Sequence, residues 1–365
     1  MFSKIFSSKT VSSDTQQTIL NHLEDYRSES FPKGILFPDI CPEFILEKTN
    51  QIVIKFCLPF PCIGEIEPLA EVLSEQIKQT IRFDIYFNVK AVRSHELAGI
   101  KNIIAIASGK GGVGKSTTAV NIAYSLMAEG SSVAILDADI YGPSIPTLLG
   151  LKGQKPTSID GKLLTPLESK GLSAMSLGFL VDENDATVWR GPMASRAFSQ
   201  LLNETHWPDI DYLIVDMPPG TGDIQLTLSQ QVPVAASVVI TTPQDIALAD
   251  AIKGIAMFEQ VKVPVLGIIE NMSYHLCENC GHQSHLFGQG GGERVAEQYK
   301  TQLLGQLPLD IDIRTDADNG HSPITKDKTS DISLQYRKIA RNLAAQLYLQ
   351  LDASSPNTAS VVIED

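Results

Sequence analysis

From residue 101 onward, short apolar runs alternate with segments of helical periodicity. The apolar runs cover residues 103–107, 133–136, 212–215, 236–241 and 265–269. They are rich in β-branched residues and apolar at nearly every position, as is typical of strands that are buried on both faces. We therefore predict an α/β fold with a mostly parallel sheet and helices on both faces.

The first hundred residues have a different pattern. Residues 51–58 and 83–92 alternate in part, as strands with one exposed face do, and residues 67–81 have the periodicity of an amphipathic helix with Pro68 in its first turn. We predict a small α+β domain over residues 16–95, followed by the α/β domain over residues 96–351. Residues 1–15 and 352–365 are small and polar in the main, and we predict flexible ends there.

A glycine-rich loop follows the first apolar run of the α/β domain. It consists of Gly109, Lys110, Gly111, Gly112, Val113, Gly114, Lys115, Ser116 and Thr117. This is the phosphate-loop pattern, in which glycines let backbone N–H groups curl around phosphate oxygens. Lys115 is expected to reach the β- and γ-phosphates, and the Ser116 hydroxyl to bind Mg²⁺. The loop therefore predicts that the chain binds a nucleoside triphosphate.

Polar residues also follow three later apolar runs. Asp137 and Asp139 come after residues 133–136, Asp216 after residues 212–215, and Asn271 after residues 265–269. In open parallel sheets, ligands bind beyond the carboxyl ends of the strands. We predict that Asp216 holds Mg²⁺, directly or through water, and that Asp137 assists Asp139 or the magnesium.

Two cysteines, Cys277 and Cys280, are separated by two residues, a spacing that can place both thiolates on one metal. One pair supplies two ligands, most metals here take four, and the chain has no second pair of this kind. A two-fold dimer would bring two pairs together around one [4Fe–4S] cluster. Zinc bound with His282 and His285 of the same chain, a dithiol redox pair and a structural turn remain as alternatives.

Composition narrows the possible partners. The chain has 365 residues, 43% of them hydrophobic, and a formal net charge of −13. This acidity and the lack of a Lys/Arg run argue against nucleic acid as a partner. No apolar stretch is long enough for a membrane helix, and the N-terminus lacks the apolar region of a secretion signal. We expect a cytoplasmic protein, with cysteines in a reducing compartment.

Lys110 is a second lysine that an ordinary phosphate loop does not need. With it the loop resembles that of the deviant Walker A ATPases, which include the nitrogenase iron protein, cell-division and plasmid-partition ATPases, and the Mrp/ApbC iron–sulfur carriers. The resemblance to Mrp/ApbC proteins covers about residues 100–350 and includes residues 139–144, 189–193, 241–245 and 287–288. It implies that Lys110 reaches the nucleotide of a partner subunit, that Asp139 positions the attacking water, and that Asn271 reads an adenine base.

The resemblance also implies a function. Proteins of this family are ATPases that hold a [4Fe–4S] cluster across a homodimer and pass it to apo iron–sulfur client proteins. Here Lys110, Lys115, Asp139 and Asp216 would be the catalytic residues, and slow ATP hydrolysis would accompany cluster binding or transfer.

Two other classes share the deviant loop. A spatial-organiser ATPase with a structural zinc knuckle would need a membrane-binding tail or a DNA-binding surface. Residues 332–351 are amphipathic, but we expect their stripe of Ile339, Leu343 and Leu347 to pack on the sheet. An electron-donating reductase like the nitrogenase iron protein would have two well-separated single cysteines in place of a tight pair.

Three cysteines lie outside the pair. The domain over residues 16–95 resembles the small iron–sulfur-assembly-associated domain that often precedes the Mrp ATPase domain. That family has a Cys-Pro step where this chain has Pro61-Cys62. We predict that Cys41, Cys57 and Cys62 are small hydrophobic residues without a chemical role.

Overall fold

The computed structural model describes residues 10–37, 40–47, 49–158, 161–180 and 191–354, with the backbone alone for residues 191, 192, 223, 224 and 351–354. Its strands are β1 (Glu43–Leu46), β2 (Ile52–Leu58), β3 (Ile81–Phe87), β4 (Ile100–Ser108), β5 (Val133–Asp137), β6 (Leu167–Ser169), β7 (Leu172–Ser176), β8 (Ile210–Asp216), β9 (Ala236–Thr241), β10 (Val265–Leu276), β11 (Gln283–Ser284) and β12 (Leu303–Pro308). Its helices are α1 (Ser13–Asp25), α2 (Ile63–Ile77), α3 (Lys115–Ala128), α4 (Ile145–Leu148), α5 (Gly191–Glu204), α6 (Asp223–Gln231), α7 (Asp245–Gln260), α8 (Gly291–Gln298), α9 (Ile311–Asp318), α10 (Pro323–Lys326) and α11 (Asp331–Ser354).

The larger sheet has the strand order β11-β10-β9-β4-β8-β5-β7-β6, with β12 beside β10. Its central pairs are parallel, and the pairs β10–β11 and β6–β7 are antiparallel. Every residue of β5 and β9 is buried, so both faces of the sheet are covered. The predicted α/β fold, with a mostly parallel sheet between helices, is confirmed.

The position of β4 in the sheet determines where a ligand is expected to bind. The chain passes from β4 through α3 to β5, returns to β8 between them, and then crosses to β9 on the other side of β4. Connections therefore leave β4 in both directions. The carboxyl end of such a strand is the switch point at which α/β sheets bind ligands.

The N-terminal residues form a separate three-stranded sheet in the order β1-β2-β3. Strand β1 is antiparallel to β2, β2 is parallel to β3, and α2 packs against β3. Aromatic rings join this unit to α11: the ring centroids of Phe37 and Tyr348 are 5.3 Å apart, and those of Phe60 and Tyr348 are 5.9 Å apart. The predicted small α+β unit is present, and its exact boundaries stay a prediction.

Helix α2 differs from its prediction. It begins at Ile63, so Pro68 lies inside the helix and not in its first turn. The start is set by a distant group, because the Gly64 N–H donates to the carboxylate of Glu129 at 2.7 Å. The helix ends at Ile77, before the predicted residue 81, because Lys78 adopts the left-handed conformation. An internal proline removes one backbone hydrogen bond, which this packing tolerates.

Other boundaries in the first hundred residues also shift. Helix α1 begins inside the predicted flexible end, because the Ser12 side chain accepts a hydrogen bond from the Thr15 N–H and caps the helix. Strand β3 covers Ile81–Phe87 in place of 83–92. Helix α11 likewise runs to Ser354, inside the predicted flexible end at 352–365. Residues 1–9 and 355–365, also predicted to be flexible, lie outside the described residues.

The three cysteines outside the pair differ in how deeply they are buried. Cys62 is buried and Cys57 half-buried, as small hydrophobic residues are, whereas Cys41 is exposed and the prediction is wrong there. Cys41 lies in irregular backbone before β1, where no packed face covers it.

Helix α11 confirms the prediction for residues 332–351. Ile339, Leu343 and Leu347 are at most 2% exposed, and the helix packs on α3 and β12. At Gly305 of β12, an added Cβ would lie 2.5 Å from the Ile339 side chain. The apolar stripe is therefore used within the chain. No helix of the described residues is long and apolar enough to cross a membrane.

Candidate functional site

The phosphate loop joins β4 to α3 at the switch point. Gly112 and Gly114 both have φ of +82°, a conformation that glycine adopts without steric cost. A Cβ added at Gly111 or Gly112 would meet nothing within 4 Å. The loop is therefore an open cradle of backbone N–H groups at the N-terminus of α3, which is the arrangement that binds phosphate.

Gly109 and Gly114 also lie close to neighbouring elements. A Cβ on Gly109 would lie 2.1 Å from the backbone carbon of Asp250 in α7. A Cβ on Gly114 would lie 2.2 Å from Nδ2 of Asn271 in β10. The glycines thus serve two purposes: some open the loop to a ligand, and others let α7 and β10 approach it.

Lys115 brings the predicted catalytic groups together. Its ammonium donates to Asp216 Oδ1, lies 3.9 Å from Asp139 Oδ2, and donates to Ser116 Oγ at 3.3 Å. Lys115 is 6% exposed and Asp216 is fully buried. The structure therefore assembles the carboxyl ends of β5 and β8 and the start of α3 into one polar cluster.

Asp137 organises the loop that carries Asp139. Its carboxylate accepts hydrogen bonds from the N–H of Asp139 at 3.0 Å, the N–H of Ile145 at 3.2 Å and the hydroxyl of Ser176 at 3.0 Å. Burial and then the charge of Asp216 raise the pKa of Asp137 to about 8. Burial also raises the pKa of Asp139.

The composition of this cluster fits Mg²⁺. Two carboxyl groups, of Asp139 and Asp216, lie against the Lys115 ammonium, and Asp216 Oδ2 is buried without a hydrogen-bond partner among the described residues. An unpaired buried carboxylate oxygen is costly, and a divalent cation would compensate for it. Mg²⁺ prefers carboxylate, hydroxyl and phosphate oxygens, so Ser116 and Asp216 with a bound nucleotide provide a suitable ligand set.

Asn271 lies against the phosphate loop. Its Nδ2 donates to the carbonyl oxygen of Val113 at 2.8 Å, and the residue is 8% exposed. In this structure the amide braces the loop; its predicted contact with the base stays a prediction. Strand β10 also continues to Leu276, well past the predicted end at residue 269.

Lys110 is half-buried in the loop, where its carbonyl oxygen accepts a hydrogen bond from Ser108 Oγ at 2.9 Å. None of the ion pairs among the described residues involves the Lys110 amine. Its action across a dimer interface stays a prediction.

The cysteine pair lies at the tip of the hairpin formed by β10 and β11, which we call the cysteine hairpin (residues 277–282). The Cys277 N–H donates to the His282 carbonyl at 3.0 Å, and the Gly281 N–H to the Cys277 carbonyl at 2.8 Å. Hydrogen bonds from the backbone N–H groups of Asn279 and Cys280 lower the pKa of the Cys277 thiol. The turn therefore favours a thiolate, which is the form that binds metal.

The two histidines do not join the cysteines. His282 is exposed, and Nδ1 of His285 lies 3.1 Å from the carbonyl oxygen of Ser273. Among the described residues, no three His, Cys, Asp or Glu side chains are grouped to hold a metal ion. The predicted alternative of a zinc knuckle within one chain is therefore not formed here. The cysteine pair needs ligands from elsewhere to complete a metal site.

Comparison with known families agrees with this geometry. The family described as ParA: NUBPL iron-transfer P-loop NTPase matches residues 99–344. The chain belongs to this family. As a P-loop NTPase of the NUBPL group, it has the nucleotide-binding fold that the resemblance predicted.

Relatives that match most of the chain extend this comparison. The iron-sulfur cluster carrier protein of Haemophilus influenzae is 47% identical over 355 residues, 94% of this chain and 95% of the relative. That of Escherichia coli K12 is 54% identical over 310 residues, 82% of this chain and 84% of the relative. The mouse iron-sulfur cluster transfer protein NUBPL is 46% identical over 253 residues, 69% of this chain and 79% of the relative.

Solved structures resemble the NTPase part. A nucleotide-binding protein from Archaeoglobus fulgidus in complex with ADP is 38% identical, with a TM-score of 0.57 over 64% of this chain and 91% of that chain. The cell-division ATPase MinD of Pyrococcus furiosus is 18% identical, with a TM-score of 0.52 over 66% of this chain and 98% of that chain. The MinD likeness shows the fold alone.

Two buried polar residues near this edge of the sheet, Glu270 and Ser176, were not predicted from the sequence. The Glu270 carboxylate accepts from Ser273 Oγ, Gln306 Nε2 and the Gly292 N–H, at 2.7, 2.9 and 2.6 Å. Its position at the end of an apolar run was an available signal. The sequence carries no comparable signal for Ser176, which donates to Asp137, because its partner lies on a different strand, far away along the chain. The matching segment at residues 189–193 lies largely outside the described side chains.

Proposed function

We propose that this chain is an ATP-hydrolysing iron–sulfur cluster carrier, in which a homodimer holds a [4Fe–4S] cluster on Cys277 and Cys280 of both subunits and passes it to apoproteins. The observation that carries the proposal is the cysteine hairpin. It presents two thiols, and backbone hydrogen bonds lower the pKa of the Cys277 thiol, yet the described residues offer no third ligand. The relatives named as cluster carriers and a cluster transfer protein support the same cargo.

In the nucleotide half of this proposal, the loop N–H groups and Lys115 bind the β- and γ-phosphates of ATP. Ser116 and Asp216 would hold Mg²⁺, which would neutralise charge on the phosphates. Asp139 orients the water that attacks the γ-phosphorus, and ADP departs. We expect slow turnover, because a carboxylate is a weak general base. Lys110 acts on the nucleotide of the partner subunit.

In the cluster half, symmetry supplies the missing ligands. Two thiolates from each subunit meet at the two-fold axis, as thiolate ligation of [4Fe–4S] clusters requires. Cys280 is exposed in the single chain, so neither a second subunit nor an acceptor protein has to displace buried structure to reach the pair. Ligands that are shared across an interface separate when the dimer opens, which is a property that a carrier needs.

A spatial-organiser function finds less support. Its membrane-binding helix would have to come from the amphipathic C-terminal segment, whose Ile339, Leu343 and Leu347 are buried against the chain itself. The MinD likeness rests on fold alone.

Anaerobic purification followed by quantification of iron, sulfide and zinc per subunit tests the proposal. We expect about two irons and two sulfides per subunit, with broad visible charge-transfer absorbance. Cys277→Ala and Cys280→Ala should each lose the iron and keep ATP binding, because the two sites use different loops. Cys41→Ala, at an exposed cysteine far along the chain, is the matched control and should keep the iron.

One tightly bound zinc per subunit that is lost in His282→Ala would replace the cluster with a zinc site. Incubation with an apo-ferredoxin acceptor tests the transfer step. Iron should move to the acceptor, and a cluster that stays on the carrier would contradict transfer.

A further inference from the structure

One strand connects the nucleotide edge to the cysteine hairpin. Asn271 of β10 contacts the phosphate loop at Val113, and Cys277 follows directly after the last residue of the same strand. Six residue-to-residue steps lead from Asn271 to Cys277, which is at most about 20 Å of extended chain. No other element has to intervene between the two sites.

This strand is irregular between its two functional ends. Met272 has φ of +53°, although it is not a glycine, and the register between β10 and β12 shifts between Glu270 and Tyr274. We call residues 271–273 the β10 bulge. A side chain in the left-handed region is strained unless neighbouring contacts hold it, and such strain concentrates where segments switch.

Contacts on both sides hold the β10 bulge. On the nucleotide side, Asn271 Nδ2 donates to the Val113 carbonyl, and it lies where a Cβ on Gly114 would be. On the hairpin side, the Ser273 carbonyl is 3.1 Å from Nδ1 of His285. A carbonyl only accepts hydrogen bonds, so Nδ1 carries the proton and donates.

We propose that the β10 bulge couples nucleotide binding at the phosphate loop to the position of the cysteine pair, with His285 as the positioning residue of the hairpin. When the loop adjusts to phosphate, the Val113 carbonyl moves Asn271 and with it the next two peptide groups. Because His285 donates to the Ser273 carbonyl, His285 and strand β11 before it move together with that carbonyl. The inference rests on the proposed function, because it describes how ATP would regulate the cluster ligands.

Thiol alkylation of the full-length, metal-free protein measures this coupling without a cluster. Iodoacetamide is added in the absence of nucleotide, with Mg²⁺ and ADP, and with Mg²⁺ and a non-hydrolysable ATP analogue. Mass spectrometry gives the rate for each cysteine. We expect the rate at Cys277 or Cys280 to change about fivefold or more between states, the range of ordinary allosteric coupling. The exposed Cys41 serves as internal reference and should not change.

Variants of the two hairpin histidines separate positioning from general structure. His285→Ala should remove the nucleotide response, and His285→Asn should restore it, because the Asn amide places a donor where Nδ1 was. His282→Ala is the control, since the His282 ring makes no hydrogen bond among the described residues, and it should respond like the wild type. Nucleotide affinity is measured for each variant, and saturating nucleotide is used throughout.

The outcomes separate this inference from the proposed function. An undiminished response in His285→Ala, or no response in the wild type, overturns the coupling. If the purified wild type contains the cluster but the alkylation rates of Cys277 and Cys280 do not depend on nucleotide, the coupling is wrong and the proposed function stands. If the thiols respond through His285 but the purified protein contains no iron, the coupling stands and the proposed cargo fails.

Discussion

The Glu129 carboxylate holds the N-terminal unit on the NTPase unit. It is fully buried at the C-terminal cap of α3. Its Oε1 accepts from Arg337 Nε at 2.6 Å and from Arg341 Nη1 at 2.9 Å, and its Oε2 accepts from the Gly64 N–H at 2.7 Å. One carboxylate thus links α3, α11 and the start of α2. We predict that Glu129→Ala strongly destabilises the protein.

The expected magnitude follows from what the substitution leaves behind. Arg337 is 4% exposed, and after the change its charge stays buried without a carboxylate. Removing one partner of a buried ion pair costs about 3–5 kcal/mol. Loss of the acceptor at the start of α2 adds about 1 kcal/mol, as for other helix caps. The remaining bond from Arg337 Nη1 to the Lys328 carbonyl, at 3.2 Å, offsets part of this cost. We expect a loss of about 4 kcal/mol.

Urea unfolding followed by circular dichroism measures this loss. Lys338→Ala is the matched control on the same helix, because its pair with Glu29 is exposed, with side chains 56% and 63% accessible. An exposed pair contributes at most about 1 kcal/mol. Two transitions in Glu129→Ala, in place of one, would show that the units unfold separately. A loss of unfolding free energy as small as that of Lys338→Ala would refute the reasoning, because the buried contacts of Glu129 would then contribute no more than an exposed ion pair.

Three further predictions concern the nucleotide site. Lys115→Ala should abolish ATP hydrolysis in a steady-state phosphate-release assay, because the γ-phosphate loses its counter-charge. Lys110→Ala should keep the fold, by circular dichroism, but weaken the nucleotide-bound dimer in size-exclusion chromatography; an unchanged dimer with full turnover would contradict an intersubunit role. Between its usual pKa of 3.8 and the raised value of about 8, native Asp137 keeps a proton that the unfolded chain has released. The free energy of unfolding without nucleotide should therefore fall as pH rises through this window, and thermal unfolding of Asp137→Asn should show a flatter slope.

The nucleotide edge was predictable from the sequence because its signals are local. The phosphate loop is one contiguous segment, and Asp139, Asp216 and Asn271 each come shortly after the end of an apolar run. Once the runs are taken as parallel strands, their carboxyl ends must share an edge. The structure places these residues together as that argument requires, with Lys115 between the aspartates.

The features that the sequence did not reveal depend on distant partners. The apolar run of β10 stops at residue 269, because Glu270, Asn271 and Ser273 are polar, yet the strand continues since β12 and β11 pair with it. The start of α2 is set by Glu129, 65 residues away from Gly64 along the chain. Local periodicity has no access to such contacts, so the pattern gives the existence of these elements but misplaces their ends.

Two elements therefore leave the phosphate loop in different directions. Helix α3 begins at Lys115 and has 14 residues, which makes it about 21 Å long, and it ends at Glu129 under the N-terminal unit. Strand β10 touches the loop at Asn271 and ends at the cysteine hairpin. Although α11 packs on both α3 and β10, the hydrogen bonds that hold the β10 bulge run to the phosphate loop and to His285, so damage at Glu129 should spare them. A substitution at Glu129 that loosens the N-terminal unit without unfolding the NTPase unit, such as Glu129→Gln, should leave the nucleotide response of Cys277 intact. Loss of that response in Glu129→Gln would show that the N-terminal unit takes part in the coupling, and that β10 alone does not carry it.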